Sequence, residues 1–190
     1  MTNLKINDEM LKILSSIKGD TFLNYECELE DKYNRTFQYL RINTNNKSID
    51  ISNDEKEVIL FGELEDVAYF KLFENKNKSL KESFNLNDNF NSLKININEI
   101  INNIYIISEI VNKNNEEIEL DMGIIIETNS HKYYFTRENW FNEFIYINVD
   151  KEFDDIYPIN EDINDWISDK DDVINIERSI ISINDIFNLR

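Results

Sequence analysis

Residues 117–149 constrain the fold more than any other stretch of the chain, because their apolar side chains recur at every second position. The alternating positions are Ile118, Leu120, Met122, Ile124 and Ile126, followed after a turn by His131, Tyr133 and Phe135. A β-strand places residues at this spacing on one face of a sheet. The pattern therefore predicts two paired strands, and the alternation of Ile145, Ile147 and Val149 predicts a third.

A two-residue loop at Asn129 and Ser130 sets the pairing of the first two strands. The predicted opposite pairs are Glu127–Lys132, Ile126–Tyr133 and Ile124–Phe135. A slip by one residue would turn both strand faces over together, so the sequence specifies this register well.

The same reasoning predicts a second hairpin with its loop at Asn45 and Asn46, because asparagine tolerates the positive φ values of tight turns. The predicted pairs are Ile42–Ile49, Arg41–Asp50 and Leu40–Ile51. Before this hairpin, the pattern predicts a helix over residues 7–18 and a strand over 21–30. Cys27 lies on the apolar face of that strand, which favours a core residue over a nucleophile.

Weaker patterns predict strands at 58–61 and 67–73, joined by a turn around 62–66, and a strand at 104–111. Polar residues dominate 74–92, which is typical of a long flexible loop. The chain is therefore predicted to form a single α+β domain over residues 1–190. We expect a mostly antiparallel β-sheet built from hairpins, with an N-terminal helix and one or two short C-terminal helices.

An acidic C-terminal segment spans residues 150–172, with ten carboxylates against two lysines. The helical spacing of Ile159, Ile163 and Trp166 predicts a short helix beginning near Asn160, with the neighbouring carboxylates facing away from the apolar stripe. The tail at 173–190 fits a strand at its start and a closing helix at its end.

The charge balance of 20 basic against 38 acidic residues, a net charge of −18, constrains the class of partner. It argues against nucleic acid and anionic membranes as direct ligands, because both require basic residues. Among possible partners it favours a basic protein, attracted by complementary charge. The alternative is a merely well-solvated acidic surface. The chain shows neither an export signal nor a long apolar stretch, so a cytoplasmic location is expected.

Few residues suit catalysis or cofactor binding. Three glycines cannot build a phosphate-binding loop, and one histidine with one cysteine cannot build an imidazole–thiolate metal site. The sequence therefore predicts no enzyme activity, no cofactor and no metal. A pair of carboxylates holding a divalent ion remains the enzymatic alternative.

The sequence thus predicts a non-catalytic acidic protein that neutralises a basic partner by occluding its active site, as toxin-immunity proteins of bacteria or phages do. The predicted docking residues are Asp154, Asp155, Glu161, Asp162, Asp165, Asp169, Asp171 and Asp172, with Trp166 or Trp140 as an aromatic anchor. One alternative is a nucleic-acid mimic that inhibits a nuclease or defence complex, in the manner of anti-CRISPR proteins. The oligomeric state stays open.

Overall fold

The computed structural model describes residues 4–30, 34–114, 116–167 and 173–189, and strands dominate this part of the chain. Its elements are α1 (Asp8–Ser15), β1 (Thr21–Glu30), β2 (Arg35–Thr44), β3 (Ser48–Leu60), β4 (Glu63–Glu74), α2 (Leu80–Phe84), β5 (Leu93–Lys113), β6 (Glu116–Thr128), β7 (Lys132–Arg137), β8 (Phe144–Val149), α3 (Phe153–Ile156), α4 (Ile159–Trp166), β9 (Ile174–Ser182) and α5 (Ile183–Leu189). Within the described ranges, no helix has both the length and the apolar character needed to cross a membrane.

The nine strands form one antiparallel sheet. Pairing runs from β1 through β5, β6, β7 and β8 to β2, and β2 pairs back onto β1, so six strands close on themselves. β3 and β4 extend this sheet from β2, while β9 pairs with the second half of β5. The predicted mostly antiparallel sheet and N-terminal helix are confirmed, and the sheet outweighs the helices.

Both predicted hairpin registers are confirmed. In the β2–β3 hairpin Arg41 lies opposite Asp50, and in the β6–β7 hairpin Glu127 lies opposite Lys132. Each loop has two residues, and the Thr128 backbone N–H donates to the His131 carbonyl at 2.8 Å to close the β6–β7 loop. Local alternation and turn chemistry therefore determine these pairings, as expected for tight hairpins.

β6 does not keep a single apolar face, which corrects the prediction for its five alternating residues. Its pairing with β5 shifts at Met122, where one extra residue forms a β-bulge. An extra residue reverses the alternation of the strand beyond it. Ile124 and Ile126 therefore pack in one core, Leu120 and Met122 pack in another, and Asp121 turns inwards.

The first core joins α1 to the closed part of the sheet. Phe22 lies at its centre, with its ring centroid 5.3 Å from that of Tyr133 in an edge-to-face contact. Cys27 is fully buried there, as predicted, and burial raises the pKa of its thiol to about 12. A thiol with so high a pKa stays protonated near neutral pH and is a poor nucleophile.

The second core connects the acidic C-terminal segment to the other sheet face. The buried residues at its centre are Val58, Leu60, Val67, Leu120, Met122, Tyr134, Trp140, Phe153 and Trp166. The rings of Trp140 and Trp166 are perpendicular, with centroids 4.2 Å apart. The short helices α3 and α4 therefore belong to the packed interior rather than to a detached tail.

The turn predicted at 62–66 is too long. β3 and β4 run up to a tight turn at Phe61 and Gly62, both with positive φ, so 63–66 is strand rather than turn. The predicted loop at 74–92 contains helix α2. Its start is a capping box, in which Ser79 and Glu82 each accept a hydrogen bond from the backbone N–H of the other. The extent of β3 and β4 depends on their pairing with each other, which the pattern of either strand alone does not contain, whereas the capping box of α2 is a local sequence signal.

Candidate protein-binding surface

Arg178 of β9 links the acidic C-terminal segment to the sheet through ion pairs. Its side chain is 5% exposed, and its Nη2 atom lies 2.5 Å from a carboxylate oxygen of Glu109 in β5 and 3.4 Å from Asp162 in α4. Nη1 lies 2.5 Å from Asp154 in α3, and the guanidinium stacks 4.3 Å from the Phe153 ring centroid. Burial opposes its charge, but Glu109 and Asp154 outweigh this effect and raise the pKa of Arg178.

Glu109 links this ion cluster to the second core. The carboxylate is fully buried, and its second oxygen accepts a hydrogen bond from the Trp140 indole N–H at 3.0 Å. Trp140 is itself fully buried, and Trp166 is 5% exposed. The two indoles therefore stabilise the folded chain and leave no exposed ring for a partner.

Arg137 is a second fully buried arginine beside this cluster. It donates hydrogen bonds to the Ala68 carbonyl and to the Met122 sulfur, and burial lowers its pKa to about 10. The carboxylates of Glu109 and Asp121 counteract that shift. Arg137 therefore remains a cation at neutral pH and neutralises part of the buried negative charge.

The predicted docking residues occupy three different environments. Asp162 is fully buried against Arg178, which corrects the expectation that it faces away from the apolar stripe, and Asp154 shares the same guanidinium while remaining largely exposed. Asp155 and Glu161 are exposed. The other predicted positions lie outside the described residues or side chains: Asp165, Asp169, Asp171 and Asp172.

Asp155 and Glu161 meet Glu138 at an open groove of about 610 Å³, which we call the acidic groove. Lys151 is the one basic side chain among its described lining residues. The remaining lining residues are Asn34, Asn139, Tyr146, Asn148, Ile156 and Tyr157. The Glu138 carboxylate accepts hydrogen bonds from Arg35 at 3.0 Å and from the Tyr146 hydroxyl at 2.8 Å, so its position is well defined.

A second acidic surface, which the sequence analysis missed, is the hairpin arm formed by residues 54–66 of β3 and β4. Its residues include six carboxylates and one lysine. Val58 and Leu60 on one face pack into the second core. On the other face Ile59 and Leu64 lie directly opposite each other and are 69% and 66% exposed.

Exposed carboxylates adjoin that aliphatic pair on the outer face of the arm. Glu57 and Asp66 form the next cross-strand pair on this face, and Glu55 continues it along β3. The apolar run at 58–61 is the sequence feature that could have predicted this surface. An uninterrupted run in a strand places apolar residues on both faces, and only one of these faces reaches a core.

His131 forms an exposed acid–base pair at the tip of the β6–β7 hairpin. Its Nδ1 atom lies 2.6 Å from Asp150, and its Nε2 atom lies 3.7 Å from Glu99. The hydrogen bond to Asp150 raises the pKa of His131. The Lys132 backbone N–H and His131 both donate to Asp150 and lower the pKa of that carboxyl.

We expect the substitution Asp150→Asn to lower the pKa of His131 towards its ordinary value of 6.5. Because the folded-state pKa is raised, the stabilising contribution of the pair is fully present below pH 6.5 and is lost as the pH rises through the raised value. NMR titration of the imidazole measures the shift. Glu99→Gln, which removes the more distant carboxylate, serves as the control with a smaller effect, and an unchanged pKa in D150N would contradict the assignment.

Across the described ranges, no group of three or more His, Cys, Asp and Glu side chains is arranged as a metal site. No protein-family model, curated protein or solved structure matches the chain. The surfaces of the chain itself are therefore the guide to its function.

Proposed function

We propose that this chain is a non-catalytic acidic binding protein that neutralises a basic protein partner by covering the active site of that partner, as a toxin-immunity protein does. The observation that carries the proposal is the outer face of the hairpin arm. There Ile59 and Leu64 are exposed beside Glu55, Glu57 and Asp66. Covering exposed aliphatic side chains lowers the free energy of the complex. The surrounding charges guide and orient the approach of the partner.

The charge of the arm fits a basic partner. Six carboxylates against one lysine give the arm a net charge of −5 within 13 residues. At physiological ionic strength the Debye length is about 8 Å, so these charges act on a partner mainly at close approach. Charge complementarity over such a surface raises the association rate more than it lowers the dissociation rate.

The acidic groove supplies a second contact from the originally predicted residues. The carboxylates of Asp155 and Glu161 are exposed, whereas Asp162 is buried and forms an ion pair with Arg178. We assign no docking role to Trp140 or Trp166, because both lie in the second core. The aliphatic pair of the hairpin arm takes the place of the indole anchor in this proposal.

The exposed aliphatic pair also favours this function over the nucleic-acid mimic. A mimic of phosphates requires carboxylates at suitable spacing, but it has no need for Ile59 and Leu64. The two functions differ in a direct test. A mimic must compete with DNA or RNA for the nucleic-acid site of its partner, whereas an immunity-type protein need not compete with nucleic acid, because the active site it covers need not bind nucleic acid.

The test begins with affinity capture of a basic partner by the tagged chain from lysate of its own cells, followed by kinetic binding measurements with the purified pair. We expect the double variant Ile59→Ser, Leu64→Ser to bind at least about tenfold more weakly, mainly through faster dissociation. The triple variant Glu55→Gln, Glu57→Gln, Asp66→Asn is expected to associate more slowly, with a flatter dependence on salt.

A matched control removes exposed carboxylates at another place: Glu9→Gln, Glu116→Gln and Glu117→Gln. It changes the net charge of the chain from −18 to −15, as the arm variant does, and is expected to retain nearly the same affinity. Equal losses in the control and the arm variant would show a nonspecific charge effect. Unchanged affinity in the aliphatic variant would exclude the hairpin arm as the interface.

A further inference from the structure

We propose that the protein has a separate binding site for a small phosphate-bearing anion. The site is a groove of about 800 Å³ between the Asn45–Asn46 loop and the segment 74–79, which we call the basic groove. The charged residues of its lining that matter here are Lys47, Lys76, Lys78 and Lys94, with Glu26 and Glu74. It shares no residue with the acidic groove or the hairpin arm.

The lysines at the edges of this groove are partly neutralised. Lys47 lies 3.6 Å from a carboxylate oxygen of Glu74, and Lys94 lies 3.8 Å from Glu26. In each of these two pairs, the positive charge of the lysine is offset by the negative charge of the glutamate. Glu74 is a weak partner for Lys47, because its side chain is more than half exposed.

Lys76 and Lys78 supply the excess positive charge. Both side chains are exposed, and among the described residues neither has an ion-pair partner within 4.0 Å, although Lys78 interacts with Glu82 at longer range. Acidic residues outnumber basic ones almost two to one in this sequence. Two neighbouring lysines without such a partner are therefore a local reversal of the charge of the whole chain.

A buried ion pair fixes the wall that carries these lysines. Arg41 binds both carboxylate oxygens of Asp50, at 2.5 and 3.0 Å, and donates from Nη1 to the Lys78 carbonyl at 2.8 Å. The Asn75 side-chain amide donates to Asp50 at 2.7 Å, and its backbone N–H donates to Ser48 at 2.8 Å. The segment is thus positioned before a ligand arrives, which reduces the ordering cost of binding.

Phosphate oxygens suit the groups that this groove presents. Lysine acts as a point charge for phosphate, and an amide group such as that of Asn77 can donate to the same oxygens. The Ser79 hydroxyl already donates to the Glu82 carboxylate at 2.8 Å. The net charge of the chain opposes any anion, but screening over about 8 Å limits that repulsion at physiological ionic strength. A ligand with several phosphates gains most from two ammonium groups at one opening.

Tripolyphosphate binding to the full chain tests the site, measured by calorimetry and by amide chemical shifts at constant ionic strength. We expect saturable binding with shifts at the Asn45–Asn46 loop and at 75–79. The variant Lys76→Gln, Lys78→Gln should bind at least about tenfold more weakly, which corresponds to about 1.4 kcal/mol. Glu74→Gln should bind more tightly, because it removes a carboxylate from the lining.

The matched control is Lys12→Gln, Lys18→Gln, which removes two exposed lysines outside the basic groove and should leave the affinity unchanged. An equal loss in this control, or no loss in K76Q/K78Q, would overturn the site. Sedimentation equilibrium addresses the main competitor. Self-association that disappears in K76Q/K78Q, without tripolyphosphate binding to the wild type, would overturn the small-anion site in favour of an acidic protein surface.

Discussion

The substitution Arg178→Met is expected to lower the free energy of unfolding by about 3–5 kcal/mol, because it removes the cation from a buried ion cluster. Glu109 and Asp162 are both fully buried, and each has a carboxylate oxygen within 3.4 Å of the guanidinium. Without Arg178 these carboxylates must stay charged and poorly solvated, take up protons, or open the contact between α4 and β9. Urea unfolding followed by circular dichroism measures the loss.

Asp154→Asn is the matched control for the Arg178 prediction. It removes a third carboxylate from the same guanidinium, but this carboxylate is 69% exposed. An exposed ion pair contributes about 0–1 kcal/mol, so the control should be only slightly less stable than the wild type. Similar stabilities for R178M and D154N would show that the buried pairs contribute no more than the exposed one.

Replacing Trp140 by alanine is expected to destabilise the protein by about 3–5 kcal/mol. The indole is fully buried in the second core, packs edge-to-face on Trp166, and satisfies Glu109 with a 3.0 Å hydrogen bond. The substitution therefore removes a large apolar volume and one partner of a buried carboxylate together. Chemical denaturation monitored by the fluorescence of Trp166 gives the free-energy difference.

Trp140→Phe separates the two contributions, since phenylalanine keeps much of the ring volume and lacks the indole N–H. We expect a loss of about 1–3 kcal/mol in this control. Because Trp140 and Arg178 both contact Glu109, the losses in W140A and R178M should not be additive. Wild-type stability in W140A with impaired partner binding would instead support the original role of Trp140 as a binding anchor.

Local sequence information determined the two tight hairpins and the type of most elements. The register that places Arg41 opposite Asp50 follows from alternation and a two-residue Asn–Asn loop. The helix in the acidic segment also begins where its apolar spacing predicts, at Ile159. These features depend on residues a few positions apart, whose geometry is nearly the same in any fold.

Only the tertiary structure decided which charged and aromatic side chains are accessible. The bulge at Met122 moves part of β6 to the opposite face. Gly123 beside it has no room for a side chain, since a Cβ atom there would lie 2.8 Å from Thr136 Cγ2. Both effects arise between neighbouring strands, so the alternation of one strand cannot reveal them.

In the candidate protein-binding surface too, the sequence determines some features and only the tertiary structure determines the others. The sequence correctly marks residues 150–172 as acidic, but it cannot show that Arg178 draws Asp162 inside while Asp155 stays exposed. It likewise cannot show that only one face of the apolar run at 58–61 meets a core, which leaves Ile59 in solvent. A charged side chain is buried at low cost only where the fold places an opposite charge beside it. Such pairs form between residues that are distant in the sequence, so the local pattern does not reveal them.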